Sequence, residues 1–527
     1  MSAIRRIIIL SLTAWALPAQ TPGAASVGPQ AGLQALFQAV RSLRRTAQPS
    51  DDVKAQVDKL LSRSAPDQRA GRTGEARRLM AQALTLLRGG TWDARQEFLW
   101  SLALRPERVV ADPTLPLLAH LSQSYPAAYE PTGELRLRVS LSREGTRVRD
   151  LGNHLVVSRD LIDQPFGFDM DLHGLASGAY QLDAQVVDGD TTLASLETPL
   201  QLVEGIDQRR ADVERRLAKI EAHESIKATI RYPFEVARYA NTGKRPLTQA
   251  EYGIPFDPHQ PPYDFAKGLA QSAALLKALE AGKDPLWRAK GDHERHYWFA
   301  DAGEIMPYHV YVPSKWDGRS RLPMVLVLHG NTRDQDYYFD RDGGILAKLG
   351  EQHGFLVVCP LGYRPNAGWG SSMLRRAGAQ SGFAMDPSRM RQAELSEKDA
   401  MNVLDLVTKE YPIDPARIYL FGHSAGGAGT WYLGEKYADR WAALAASAAG
   451  TRTDGFPFER LKGLPLMVCH GDKDDEVPVT NSRNMVKALQ EHGYAPRYLE
   501  VPGATHITIV ALVEPKVFDF FEQQRRR

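Results

Sequence analysis

Tyr419-Leu420-Phe421-Gly422-His423-Ser424-Ala425-Gly426-Gly427-Ala428 carries the reading of the whole chain. Ile418 to Phe421 is a short apolar run, the pattern of a strand buried in a parallel sheet. Gly-x-Ser-x-Gly follows, and Gly429 to Lys436 then reads as a helix. A sharp turn between strand and helix lifts a serine hydroxyl above the sheet edge. Gly422 and Gly426 fall where a β-carbon would collide with the neighbouring strand and helix. Glycine and serine are common, so the pentad alone is weak and its surroundings must support it.

Those surroundings alternate strand and helix from about His293 to the C-terminus. Strands are predicted over 309–312, 324–328, 355–359, 418–421, 442–446, 464–469 and 497–501. Met324-Val325-Leu326-Val327-Leu328 is apolar throughout, as a strand covered on both faces requires. Helical stretches fall near 345–353, 396–410, 429–436, 482–492 and 507–523. The fold class is α/β, a doubly wound sheet over 291–527 whose ligands belong beyond the carboxyl ends of its strands.

The segments before it differ in character. Met1 to Ala19, with Arg5 and Arg6 ahead of an apolar stretch and Pro18-Ala19 at its end, has the form of an export leader. Residues 31–125 show helical periodicity, with Leu33, Leu36, Phe37, Val40 and Leu43 on one face. Over 131–205, Leu135-Arg136-Leu137-Arg138-Val139-Ser140-Leu141 alternates strictly, and short strands with Gly and Asp turns predict a small β-sandwich. Its run Leu175 to Leu182 resembles immunoglobulin-like modules of exported bacterial proteins, and bracing suits it better than polymer binding. Residues 206–290 read as a connector, helical at both ends and irregular between Asn241 and Tyr263.

At 527 residues the chain exceeds one typical domain, and its 43% hydrophobic and 24% charged residues are ordinary for a soluble globular protein. A net charge of +2 gives no reason to expect nucleic acid as a partner. No later segment is long and apolar enough for a membrane span. No histidine pair or cysteine cluster has ligand spacing, so no metal or organic cofactor is implied.

A serine hydroxyl needs a base within reach and a carboxylate behind that base. His506 follows the last strand through Pro502-Gly503-Ala504-Thr505 and is the best-placed base. His423 adjoins the serine but leaves the turn in another direction, while His329 and His470 end strands and support loops. The acidic turn Asp472-Lys473-Asp474-Asp475-Glu476 follows the strand ending at Cys469. Its central pair is best placed to reach His506, Asp474 ahead of Asp475. The order Ser424, Asp474, His506 is that of α/β-hydrolases. Donors for a developing oxyanion are the Ala425 N–H and, in the loop His329-Gly330-Asn331-Thr332, that of Asn331 ahead of Thr332. Tyr363 and Trp369, in a loop on the same edge, either wall the substrate or pack that loop. The pair Arg375-Arg376 reads as a solvated patch.

Over roughly 295–525 the chain resembles exported α/β-hydrolase esterases related to feruloyl esterases and polyhydroxyalkanoate depolymerases. It is also similar to the prolyl-oligopeptidase-like and dienelactone-hydrolase-like group. The matching pieces are Tyr308 to Pro313, Leu328-His329-Gly330, Gly422 to Gly427, His470 to Asp475 and Gly503 to His506. Family spacing puts the acid four residues after the histidine of His-Gly, at Asp474. The resemblance implies a serine hydrolase acting on a small or polymer-linked carboxylic ester, which the leader places outside the cell or in the periplasm; the rivals are a peptidase of the same build and an inactive polymer-binding protein. It also implies that the strands ending at Cys359 and Cys469 lie four positions apart, roughly 19 Å at about 4.8 Å per strand, beyond disulfide reach.

Overall fold

The computed structural model describes residues 27–69, 72–158, 160–243, 263–370 and 387–526. The leader expected at 1–19, most of the irregular stretch after Asn241, and Arg375-Arg376 lie outside the described residues. The chain opens with α1 (Leu33–Thr46), α2 (Asp51–Arg69), α3 (Thr73–Leu87) and α4 (Ala94–Ser101). Leu36 and Val40 of α1 are fully buried against Met80, Ala83 and Leu84 of α3, the stripe the periodicity required.

The expected helical region does not run to residue 125. The strands β1 (Leu102–Pro106), β2 (Val110–Ala111) and β3 (Leu117–Gln123) begin directly after α4. They continue into β4 (Leu135–Arg143), β5 (Thr146–Leu155), β6 (Phe166–Met170), β7 (Gly178–Asp188) and β8 (Thr191–Leu202). Two sheets result, one ordered β1-β3-β6 and the other β2-β8-β7-β4-β5, and both contribute to a single apolar core. The sandwich therefore starts some thirty residues before the boundary read from the sequence. Strand β3 explains the difference. Leu117, Ala119 and Leu121 point inward in strict alternation, yet leucine and alanine favour helix, and packing on β6 overrides that preference.

The connector forms α5 (Ile206–Leu217), α6 (Glu224–Asn241) and α7 (Phe265–Glu280). Asn241, at the end of α6, returns both backbone bonds of Val110 at 2.8 Å, clamping the connector to the sandwich. At the other side, Tyr239 receives the Ile305 N–H at 2.7 Å and Ser225 receives the Arg295 guanidinium at 3.2 Å. The connector thus bridges the sandwich to the large C-terminal sheet.

That sheet comprises β9 (Gly291–Phe299), β10 (Glu304–Val312), β11 (Leu322–Leu328), β12 (Leu356–Pro360), β13 (Ile413–His423), β14 (Ala443–Ser447), β15 (Leu466–Gly471) and β16 (Arg497–Val501). Its order is β16-β15-β14-β13-β11-β12-β10-β9, parallel except where β10 meets its two neighbours, the arrangement expected of α/β-hydrolases. The helices are α8 (Tyr337–Asp340), α9 (Ile345–His353), α10 (Pro387–Glu410), α11 (Ala425–Lys436), α12 (Thr480–Glu491) and α13 (Ile509–Glu522). Along β11 the side chains alternate between two cores. Met324, Leu326 and Leu328 join the one beside α10 and α11, and Val325 and Val327 the one beside α9 and α13. β12 and β15 stand four positions apart, and Cys359 and Cys469 are buried free thiols.

Candidate active site

Four of the parallel strands deliver chemistry to one edge. β13 ends at His423, and Ser424 takes φ 58° and ψ −118° before α11 begins at Ala425. A non-glycine residue at positive φ is strained, and the strain is sustained by what surrounds it. The Ser424 N–H donates to the Ser447 carbonyl at 2.9 Å, and the Ser424 carbonyl accepts from Ala428 at 3.0 Å. The two glycines make the turn possible. A β-carbon on Gly422 would lie 2.2 Å from the Gly426 carbonyl oxygen, and one on Gly426 would lie 2.0 Å from that of Leu328.

The Ser424 hydroxyl is 2.9 Å from His506 Nε2, and His506 Nδ1 is 2.7 Å from Asp474 Oδ2. His506 comes from the loop between β16 and α13, and Asp474 from the turn after β15. Three residues predicted from widely separated segments thus form one hydrogen-bonded line, which can draw a proton from the hydroxyl. Asp475 does not join it. Asp474 is fixed at both oxygens. Oδ1 accepts the N–H groups of Glu476 and Val477 at 3.0 and 2.8 Å, while Oδ2 faces His506 and also His470 Nε2 at 3.1 Å. Burial alone would raise this carboxyl, but the bonds from His470, His506 and Val477 outweigh it and hold it well below the usual carboxylate range.

The other histidines keep out of the line. His423 is buried, its ring 4.7 Å from that of His506 and its Nδ1 3.2 Å from Ser447 Oγ. Burial, reinforced by the neighbouring His506, pushes its pKa far down, so it stays neutral. His329 is pushed down to about 4 by burial, and its two nitrogens face the carbonyls of Gly330 and Leu361, both at 2.8 Å. It pins the loop after β11 to the end of β12.

That loop lies against the serine. A β-carbon on Gly330 would sit 3.3 Å from Ser424 Cβ. Thr332, at φ 70°, gives its N–H to Asn366 Oδ1 at 2.9 Å, which removes it from the two loop donors considered and leaves Asn331. Ala425 is the first residue of α11, where helix N–H groups have no partner within the helix.

Trp369 requires a correction. It was expected as a possible substrate wall, but it is 2% exposed and packs beneath the site. Its indole N–H donates to the His329 carbonyl at 3.0 Å, and its side chain fills the space left by Gly362 and Gly429. It braces the loop after β11 from below. Tyr363, from the same loop, is half-buried. Its backbone N–H donates to Asp399 at 2.9 Å, its ring meets Phe299 edge-on at 6.3 Å, and the Arg364 guanidinium stacks over it at 4.0 Å. His470 and Asn366 were missed as contributors. His470 had a signal in the sequence, since its spacing to Asp474 was itself the family mark; Asn366 had none. Among the described residues, no group of three or more His, Cys, Asp or Glu side chains could hold a metal ion.

The profile of the prolyl oligopeptidase family (peptidase S9) matches residues 454–524, the stretch that carries Asp474 and His506. A bifunctional acetylxylan esterase/xylanase of Neocallimastix patriciarum is 29% identical over 188 residues, 36% of this chain and 24% of that protein. An uncharacterized secreted protein of Arthroderma benhamiae is 30% identical over 134 residues, 20% of this chain and 14% of that one. The chain therefore spans a quarter or less of the length of these curated relatives. Among solved structures, a thermostable esterase aligns over 78% of this chain and 95% of its own at 18% identity and a TM-score of 0.37. A ferulic acid esterase of Anaeromyces mucronatus aligns over 44% and 90% at 16% identity and a TM-score of 0.35.

Proposed function

We propose that the protein is an exported serine hydrolase that cleaves carboxylic esters. The observation that carries this is the line from Ser424 Oγ through His506 to Asp474, at 2.9 and 2.7 Å, with the serine held at positive φ. Ser424 attacks the acyl carbon while His506 Nε2 takes its proton, and Asp474 holds the resulting imidazolium. The oxyanion is met by the N–H groups of Ala425 and Asn331, each such donor contributing roughly 10²–10³ in rate. His506 returns the proton to the leaving alcohol, leaving the acyl group on Ser424. A water molecule, deprotonated by His506, then attacks the acyl-enzyme, and Ser424 leaves with the proton as the free acid departs. Tyr363, half-buried on the same edge, is the remaining candidate for a substrate wall. The two-sheet unit is read as an immunoglobulin-like brace, a role supported by the Asn241 clamp. The leader at Met1 to Ala19 supports a secreted or periplasmic location.

A peptidase reading is favoured by the prolyl oligopeptidase match over 454–524. Against it, the strands described ahead of β9 form a three-stranded and a five-stranded sheet rather than the propeller of the usual oligopeptidase build. Purified protein assayed on short- and long-acyl nitrophenyl esters, hydroxycinnamate esters and peptide anilides separates the two. Esters should turn over faster, and a preference for anilides would overturn the ester reading.

A further inference from the structure

We propose that His470 is a positioning residue: as an Nε2–H donor, it shares the Asp474 oxygen that serves His506 and so fixes the direction of that carboxylate and lowers its basicity. The inference rests on the triad reading and adds a fourth member behind it.

The hydrogen-bond geometry sets the tautomer. His470 is the penultimate residue of β15 and its side chain is fully buried. Its Nε2 faces two acceptors, Asp474 Oδ2 at 3.1 Å and the Val477 carbonyl at 2.9 Å, so that nitrogen carries the hydrogen. Its Nδ1 lies 2.6 Å from Ser482 Oγ on α12, a hydroxyl able to donate to it. Every polar atom of the ring thus has a hydrogen-bond partner.

The consequence falls on the reaction. Two imidazole N–H groups meet on one carboxylate oxygen while two backbone N–H groups hold the other. Rotation of the carboxylate about its Cβ–Cγ bond would break all four contacts, so Asp474 cannot swing away when His506 becomes charged. The donated bond also draws electron density from Oδ2. That lowers its basicity, so the proton stays on His506 rather than passing to Asp474. The same shared donor tempers the field that stabilises the imidazolium.

Three variants and an NMR signal test this. His470→Leu removes the donor, whereas His470→Gln can place an amide N–H near the position of Nε2. Ser424→Ala is run alongside as the control for the triad itself. His470→Leu should lower kcat by roughly 10–100-fold, the loss typical of removing a partner that orients a site ligand, with KM little changed. The acid limb of its kcat/KM profile should move to higher pH, and the strongly deshielded His506 Hδ1 proton resonance should shift. His470→Gln should recover most of kcat and return both signatures toward wild type. If His470→Leu and His470→Gln lose kcat equally while the limb and the resonance stay in place, the role is structural and the inference fails. If His470→Leu does not fold, an unshifted Hδ1 resonance in His470→Gln together with kcat at the level of an inactive control likewise overturns it. Turnover surviving in Ser424→Ala would instead overturn the triad reading beneath it.

Discussion

Gly426→Ala probes the contact on which the serine turn depends. A β-carbon at this position would lie 2.0 Å from the Leu328 carbonyl oxygen, 2.6 Å from its carbon and 2.8 Å from the His329 carbonyl oxygen. Non-bonded atoms need about 3.5 Å, so α11 and the end of β11 must separate by roughly 1.5 Å. Both partners are backbone in a sheet whose strands are buried on both faces, so no side chain can rotate out of the way. Overpacking of this kind costs about 1–3 kcal/mol, and a backbone partner puts this case at about 3. For a unit the size of residues 291–527, that corresponds to a fall in Tm of roughly 6–12 °C. The catalytic effect is separate and larger. The displaced atoms carry the Gly330-Asn331 loop and the Ala425 N–H, and misplacing reacting groups by about 1 Å costs about 10²-fold in rate. Gly450→Ala is the control, because the nearest atom to its added carbon is Val477 Cγ1 at 3.9 Å. Differential scanning fluorimetry and nitrophenyl-ester kinetics on both variants decide the matter. If Gly426→Ala matched Gly450→Ala in Tm and kcat, the close approach of α11 to β11 would not be what sets the site.

Asp474→Asn should cost roughly 10⁴ in kcat. The amide oxygen stays with the Glu476 and Val477 N–H groups, so the NH₂ faces His506 and forces the imidazole to present Nε2–H to the serine; kcat within tenfold of wild type would refute that geometry. Glu514, fully buried on α13, is pushed up to about 8 by burial, with Arg341 opposing. Because the folded protein keeps this proton while the unfolded chain releases it above about pH 4.3, stability should fall as pH rises from there toward 8. Glu514→Gln should flatten that slope and be the more stable protein at pH 8, as read by urea unfolding at pH 5 and pH 8; an unchanged slope would show that Glu514 is ionised in the fold. Glu410→Ala strands Arg295, a 0% exposed guanidinium whose carboxylate partner lies at 3.0 Å. The loss should be about 3–5 kcal/mol in denaturant unfolding, and a loss under about 1 kcal/mol would mean the pair is solvated.

Much of the catalytic domain was legible because its physics is local. The apolar runs of β11 and β13 admit one reading once helices cover both faces. Gly422 and Gly426 announce the close approach that the structure shows. Ser424, Asp474 and His506 were found because each follows a strand, and strand ends of a parallel sheet meet at one edge. The misreadings arose where the deciding contact is distant in sequence. Leu117 to Gln123 is composed of helix formers and becomes a strand only by pairing with Leu102–Pro106 and Phe166–Met170. Trp369 carries no mark of its direction, and only the glycines at 362 and 429, brought in by other elements, show that it packs inward. The Asn366 bond that takes up the Thr332 N–H depends on two loops meeting.

The identity of the nucleophile is the central claim, and covalent labelling tests it most directly. An organophosphonate that phosphonylates activated serines should modify wild-type protein stoichiometrically, with the adduct mapped by mass spectrometry to the peptide holding Ser424 and ester turnover lost in parallel. Ser424→Ala should take up no label and show no turnover. Label on another serine, or ester turnover undiminished in Ser424→Ala, would contradict the account.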